Sequence, residues 1–218
     1  MEEKVKERWH EGTIELIEKI EKNEVNFKDL NAIELFGRDG SWHTIKFAEK
    51  VKSIEVWEID SKWEKELKRN LPQAVIKIKD SISSLKFENN FKKFDLILID
   101  NPMNTYSMGK QNENEPIYCE HFEIIENIYK IANDDVLIIF NVNRKPFDYE
   151  KYPIWEKKRQ QFYGVSNTSD MKIEFLIDFY KNLFYKLGFK TIFWINVVRV
   201  FYQNEDMTHY FAFKLRKI

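Results

Sequence analysis

Residues 31–40 read Asn31-Ala32-Ile33-Glu34-Leu35-Phe36-Gly37-Arg38-Asp39-Gly40, a short apolar run that ends at two glycines. An apolar run of this length closed by a turn signal predicts a buried strand. The glycines carry weight because the chain holds only 6 in 218 residues. Average usage would give about 15. A sequence this sparing puts glycine where a side chain does not fit, and a tight turn that brings a ligand close to backbone is such a place.

Outward from that stretch, strand and helix alternate. Trp42 to Lys50 reads as a helix. Ser53-Ile54-Glu55-Val56-Trp57-Glu58-Ile59 reads as a second strand. Ser61, with Glu64 three residues on, has the spacing of a capping box and predicts a helix start. That helix stops at Leu71-Pro72. Residues 74–78, 94–99 and 135–142 are further apolar strands, and residues 118–132 and 172–187 are helices, the last closed by Gly188. Residues 104–116 are polar and irregular, which predicts a surface loop. Residues 3–22 carry Trp9, Ile14, Ile17 and Ile20 at helical spacing. Residues 190–201 and 209–215 are two late strands joined by Gln203-Asn204-Glu205-Asp206. The pattern predicts an α/β fold with a mostly parallel, doubly wound sheet of seven strands. An N-terminal helix precedes it and an antiparallel C-terminal hairpin forms its edge. The whole chain, 1–218, reads as one domain, with 1–30 a helical extension and 144–170 an insertion placed to serve as an acceptor lid.

Composition narrows the partners. The formal net charge is -1, so there is no chain-wide basic field for nucleic acid. Cys119 is the single cysteine, which rules out an intrachain disulfide framework. The charged opening Met1-Glu2-Glu3-Lys4-Val5-Lys6 lacks the apolar core of a secretory signal, and no run is long and apolar enough to cross a bilayer. The expected compartment is the cytoplasm. His121 lies beside Cys119 and Glu120 without metal-ligand spacing, so no metal is expected. No Gly-x-Ser-x-Gly elbow occurs.

In an open α/β sheet, ligands gather at the carboxyl ends of the strands. The acids of this chain fall there: Glu34 in the first strand, Glu58 and Asp60 at the end of the second, Asp80-Ser81 after the third, and Asp100-Asn101-Pro102 after the fourth. Glu58 lies 18 positions past Gly40, a spacing that suits a carboxylate accepting hydrogen bonds from ribose hydroxyls. A nicotinamide dinucleotide would also use Glu58. The glycine spacing here is not Gly-x-Gly-x-x-Gly, which argues against it.

Residues 31–142 resemble the cofactor half of the class I, Rossmann-like S-adenosylmethionine-dependent methyltransferases. Glu34 through Gly40 is similar to their acidic, glycine-bearing first motif. Val56-Trp57-Glu58-Ile59-Asp60 resembles the segment whose acid holds the ribose, Lys79-Asp80-Ser81 the adenine segment, and residues 94–102 the motif bordering the transferred methyl. The resemblance implies S-adenosylmethionine as cofactor, held by Glu34, Phe36, Gly37, Asp39, Gly40, Trp42, Glu58, Ile59, Asp80, Ser81 and Asp100. It implies Asp100 and Asn101 as the catalytic pair. The departures are Phe36 and Arg38, where the family commonly has glycines, and Asp100-Asn101-Pro102-Met103 in place of Asp-Pro-Pro-Tyr or Asn-Pro-Pro-Tyr.

Two alternatives stay open. Gly37-Arg38-Asp39-Gly40, Glu58-Ile59-Asp60 and Ile117-Tyr118-Cys119-Glu120-His121-Phe122 are also similar to spermidine synthase segments, which implies aminopropyl transfer. A cofactor-binding module without turnover is the other. For the acceptor, Lys157-Lys158-Arg159 with Tyr152, Trp155, Phe162 and Tyr163 is the one basic and aromatic mixture in the chain. It is either a solvated helical face over a few core aromatics or an acceptor surface. On the second reading Tyr106, Trp155, Arg159 and Tyr163 contact a small or macromolecular methyl acceptor.

Overall fold

Each strand segment alternates its apolar side chains between two faces, and the computed structural model shows both faces covered. It describes residues 2–100, 104–106, 117–145, 149–150, 153–202 and 205–218, with backbone alone at 2–6, 8, 104–106, 117–119, 200–202 and 205. The elements are α1 (Glu2–Glu21), β1 (Asn31–Glu34), α2 (His43–Ala48), β2 (Ser53–Glu58), α3 (Glu64–Asn70), β3 (Val75–Ile78), α4 (Ser81–Phe87) and β4 (Phe94–Ile99). There follow β5 (Asn104–Tyr106), β6 (Ile117–Cys119), α5 (Phe122–Glu126), β7 (Ala132–Asn143), α6 (Pro153–Tyr163), α7 (Ile173–Lys186), β8 (Phe189–Tyr202) and β9 (Glu205–Lys217).

The main sheet has seven strands in the order β3-β2-β1-β4-β7-β9-β8. The first five are parallel, and β9 runs antiparallel to both β7 and β8. Along β4, Leu96 and Leu98 face one core while Ile97 and Ile99 face the other; Leu137 and Ile139 alternate with Ile138 and Phe140 along β7. That is the period of two expected of a strand buried on both sides. Leu16, Ile17 and Ile20 of α1, Phe47 of α2 and Leu67 of α3 cover the first face. Leu85 of α4, Ile124 and Ile125 of α5, and Leu176, Tyr180 and Phe184 of α7 cover the second. The chain steps outward from β1 to β2 and β3, then returns to the other side of β1 as β4. The topological switch, and with it the expected ligand crevice, lies between β1 and β4.

Several local expectations change. Asp60, not Ser61, caps the turn after β2, accepting from the Lys62 N–H at 3.1 Å. Asp is as good a cap as Ser and here stands one residue earlier. The helix expected over 118–132 is broken into β6, α5 and a 3-10 turn at Ile128–Lys130. Asn127 interrupts it, its side chain turned back to donate to the Glu123 carbonyl at 2.9 Å, a local bond that competes with helix. The expected surface loop 104–116 begins as β5, paired with β6, and its remainder lies outside the described residues. Most of the hairpin connection (203–204) lies outside them too. Among the described residues no helix is long and apolar enough to cross a membrane, and no group of three or more His, Cys, Asp or Glu side chains could hold a metal ion.

Candidate functional site

Glu34 ends β1 and is fully buried. A buried carboxylate needs donors, and it has four. The Phe36 N–H lies at 3.1 Å, the Asp100 N–H at 3.4 Å, the Thr44 hydroxyl at 3.2 Å and His43 Nε2 at 2.6 Å. His43 opens α2, directly after the glycine turn, and its other ring nitrogen, Nδ1, lies 3.7 Å from Asp100 Oδ2. Asp100, one residue past β4, accepts both terminal nitrogens of the Arg199 guanidinium, the Nη2–Oδ2 bond at 2.9 Å. Arg199 comes from β8 and is 3% exposed. Its guanidinium lies 4.2 Å from the Trp9 ring of α1 and 4.8 Å from the Tyr210 ring of β9. Burial alone would weaken its charge, but the Asp100 carboxylate offsets this and holds Arg199 above the ordinary arginine value. Glu34, His43, Asp100 and Arg199 thus join β1, α2, β4 and β8 beneath the switch point.

Glu58 ends β2. Its Oε2 accepts the Arg38 N–H at 2.6 Å and its Oε1 the Asp60 N–H at 2.8 Å. Burial pushes its carboxyl above the ordinary glutamate value, although the backbone donors of Asp60 and Arg38 pull it down. A carboxylate still short of stabilisation gains from further donors. Ile59 is half-buried beside it. Lys62 hydrogen bonds hold the exposed Asp60 carboxyl below its ordinary value.

The glycine turn is seated tightly against the core. A Cβ on Gly37 would lie 2.4 Å from Val56 Cγ1, and one on Gly40, where φ is +71°, would lie 2.6 Å from Leu71 Cδ1. Both glycines therefore seat the turn against β2 and the end of α3, and the close approach is to side chains of the core. Arg38 between them also has positive φ, +45°. Asp39 is bound by Ser41, whose N–H and hydroxyl donate at 3.2 and 2.7 Å. Phe36 is half-buried against the core cluster that includes Ile33 and Leu35. Trp42 packs against Trp9 with ring centroids 4.2 Å apart and the ring planes tilted by 49°.

The Asp80 carboxylate, in the segment that resembles the adenine-binding one, caps α4, accepting the N–H groups of Ile82 and Ser83 at 3.0 and 3.2 Å and the Ser83 hydroxyl at 2.6 Å. Ser81 is buried and donates to the Leu35 carbonyl, which ties the end of β1 to α4. Asn101 lies outside the described residues. Tyr106 has its backbone in β5.

The expected acceptor residues of α6 lie in the interior. Trp155, Arg159 and Tyr163 are all buried, Arg159 completely. Arg159 pairs with Glu120 at 2.9 Å and donates to the Asn143 carbonyl. Tyr163 bonds the Tyr180 hydroxyl at 2.8 Å, and Tyr180 in turn meets His121. The reason is amphipathic: the exposed Lys157 and Lys158 make the solvated face, while residues at 155, 159 and 163 repeat every four and turn inward.

No family model and no curated protein matches the sequence. Solved structures match the fold. M. jannaschii TYW2 in complex with AdoMet aligns over 95% of this chain and 77% of its own, at 15% identity and a TM-score of 0.52. The N-methyltransferase NodS from Bradyrhizobium japonicum WM9 aligns over 95% of this chain and 99% of its own, at 11% identity and a TM-score of 0.53. Its complex with S-adenosyl-l-homocysteine aligns over 84% and 76%, at 13% and 0.50.

The chain shares the Rossmann-like fold of these structures. Within it, the strand-end acids stand where the sequence put them, at the carboxyl ends of adjacent strands β3, β2, β1 and β4. Sequence reasoning missed Arg199 and the bridging role of His43. Their signals were a lone cation inside the apolar run Val197-Val198-Arg199-Val200 and a histidine in the first turn after Gly40. Neither signal names its partner, because Asp100 and Arg199 are 99 residues apart in sequence.

Proposed function

We propose that this chain is an S-adenosylmethionine-dependent methyltransferase. The observation that carries the reading is the placement of Glu58 and Glu34 at the ends of the neighbouring parallel strands β2 and β1, beside the switch point between β1 and β4, with the Arg38 N–H of the glycine turn 2.6 Å from Glu58. The residues present fit a nucleoside. Each Glu58 oxygen accepts one backbone N–H and keeps a lone pair for a ribose hydroxyl. S-adenosylmethionine brings, when bound, a methyl group activated by its sulfonium. The chain must then hold the adenosyl group and align an acceptor. In this reading Arg199 fixes Asp100, and Asp100 orients an acceptor N–H or O–H through the lone pairs that the guanidinium leaves. Asn101 is proposed beside it. The burial of Arg159 and Tyr163 argues against a stacking role for α6.

Titration calorimetry with S-adenosylmethionine and S-adenosylhomocysteine tests the reading. Micromolar binding supports it, and no heat at high micromolar ligand removes it. Decarboxylated S-adenosylmethionine with putrescine separates the aminopropyl-transfer alternative. Tight binding without transfer to any acceptor class would favour a module without turnover.

A further inference from the structure

Arg38 is an exposed arginine with φ of +45°, a conformation that favours glycine. Its backbone N–H donates to Glu58 Oε2 at 2.6 Å, so its side chain starts at the floor of the proposed ribose site. From there the guanidinium reaches two rings at once. Its carbon lies 5.2 Å from the centroid of Trp42, directly before α2, and 5.6 Å from that of Trp63, at the end of the turn after β2. Both rings have other anchors. Trp42 packs against Trp9 with centroids 4.2 Å apart, and the Trp63 ring lies 5.2 Å from the Lys62 ammonium, itself paired with Asp60. Among the described residues no hydrogen bond or ion pair holds the Arg38 guanidinium. Its ring contacts span the ends of β1 and β2.

We propose that Arg38 is a movable strap across the nucleoside site, resting on Trp42 and Trp63 and displaced by an adenosyl ligand on its way to Glu58. The inference rests on the reading of Glu58 as the ribose-binding carboxylate. A closed strap weakens apparent affinity by the fraction of molecules in which it is open. Two ring contacts of ordinary exposed strength hold it closed by about five- to thirtyfold.

The test is calorimetric titration of S-adenosylhomocysteine, which lacks the sulfonium charge, into the wild-type chain, Arg38→Gly and Trp63→Leu. Arg38→Gly is expected to bind about tenfold more tightly. Glycine accepts the +45° turn, so this variant is expected to melt no lower than wild type. Trp63→Leu keeps the arginine but removes one ring, and is expected to bind about threefold more tightly. Unchanged or weaker binding by Arg38→Gly overturns the strap. So does tightening by Arg38→Gly without any by Trp63→Leu, which would reflect loss of charge alone. If none of the three chains binds, the cofactor reading itself fails and the strap falls with it.

Discussion

Replacing Arg199 by Met isolates the interaction that holds the site floor together. The Arg199 side chain is 1% exposed and that of its partner Asp100 9%, so the change leaves a carboxylate almost wholly out of water. His43 Nδ1, at 3.7 Å, is too far to replace the lost bonds without movement. Removing one member of a buried ion pair costs about 3–5 kcal/mol, chiefly through the stranded charge. For a chain of this size each kcal/mol lowers Tm by about 2–4 °C, which gives a loss of roughly 6–20 °C. Thermal and urea unfolding followed by circular dichroism would measure it. The stranded-charge argument makes a second demand. Asp100→Asn combined with Arg199→Met removes both charges, so the double variant should recover about 2 kcal/mol relative to the sum of the two single losses. A loss below about 1 kcal/mol for Arg199→Met, or strict additivity in the cycle, would refute the reasoning.

Two further outcomes are expected. Gly40→Ala puts a methyl 2.6 Å from Leu71 Cδ1 at a φ of +71°, and should cost about 1–3 kcal/mol in urea unfolding; a cost within experimental error would show that the turn is loosely seated. His121 supplies a pH test. Burial holds its imidazole well below the ordinary histidine value of 6.5, with the Arg159 charge acting in the same direction. The unfolded chain therefore takes up a proton that the folded chain refuses. The contribution is complete above pH 6.5 and is lost as pH falls below it, by at most ~1.4 kcal/mol per pH unit. Burial raises the carboxyls of Glu58 and Glu120, whose linkage runs the other way, so the difference between wild type and His121→Gln is the readout. The variant should lose the destabilisation between pH 6.5 and 5, and an identical pH profile would contradict the assignment.

The sheet was legible because its strands are short apolar runs closed by acids or glycines, and because β1 to β4 alternate with helices. The strand-end acids followed from that alternation. What they do was less legible. Asp80 can cap a helix or face a ligand, and only the fold shows it capping α4. Gly37 and Gly40 mark a crowded place, but the sequence does not say that Val56 and Leu71 crowd it. The stretch over 153–163 presents cations and aromatics together in sequence, and the helix sorts them onto opposite faces. Residues 118–132 keep an apolar pattern that fits a helix, yet local hydrogen bonding at Asn127 and pairing of β6 with β5 divide it. The Asp100–Arg199 pair depends on the antiparallel return of β8 and β9 beside β7, a tertiary event that no local pattern encodes.

The most direct test of the account is a crystal structure of the chain grown with S-adenosylhomocysteine. The account places the ribose hydroxyls within hydrogen-bond reach of the Glu58 carboxylate, at about 2.6–3.2 Å, with the sulfur directed toward Asp100. Ligand bound away from the carboxyl ends of β1 and β2, with Glu58 still holding only backbone donors, would contradict it.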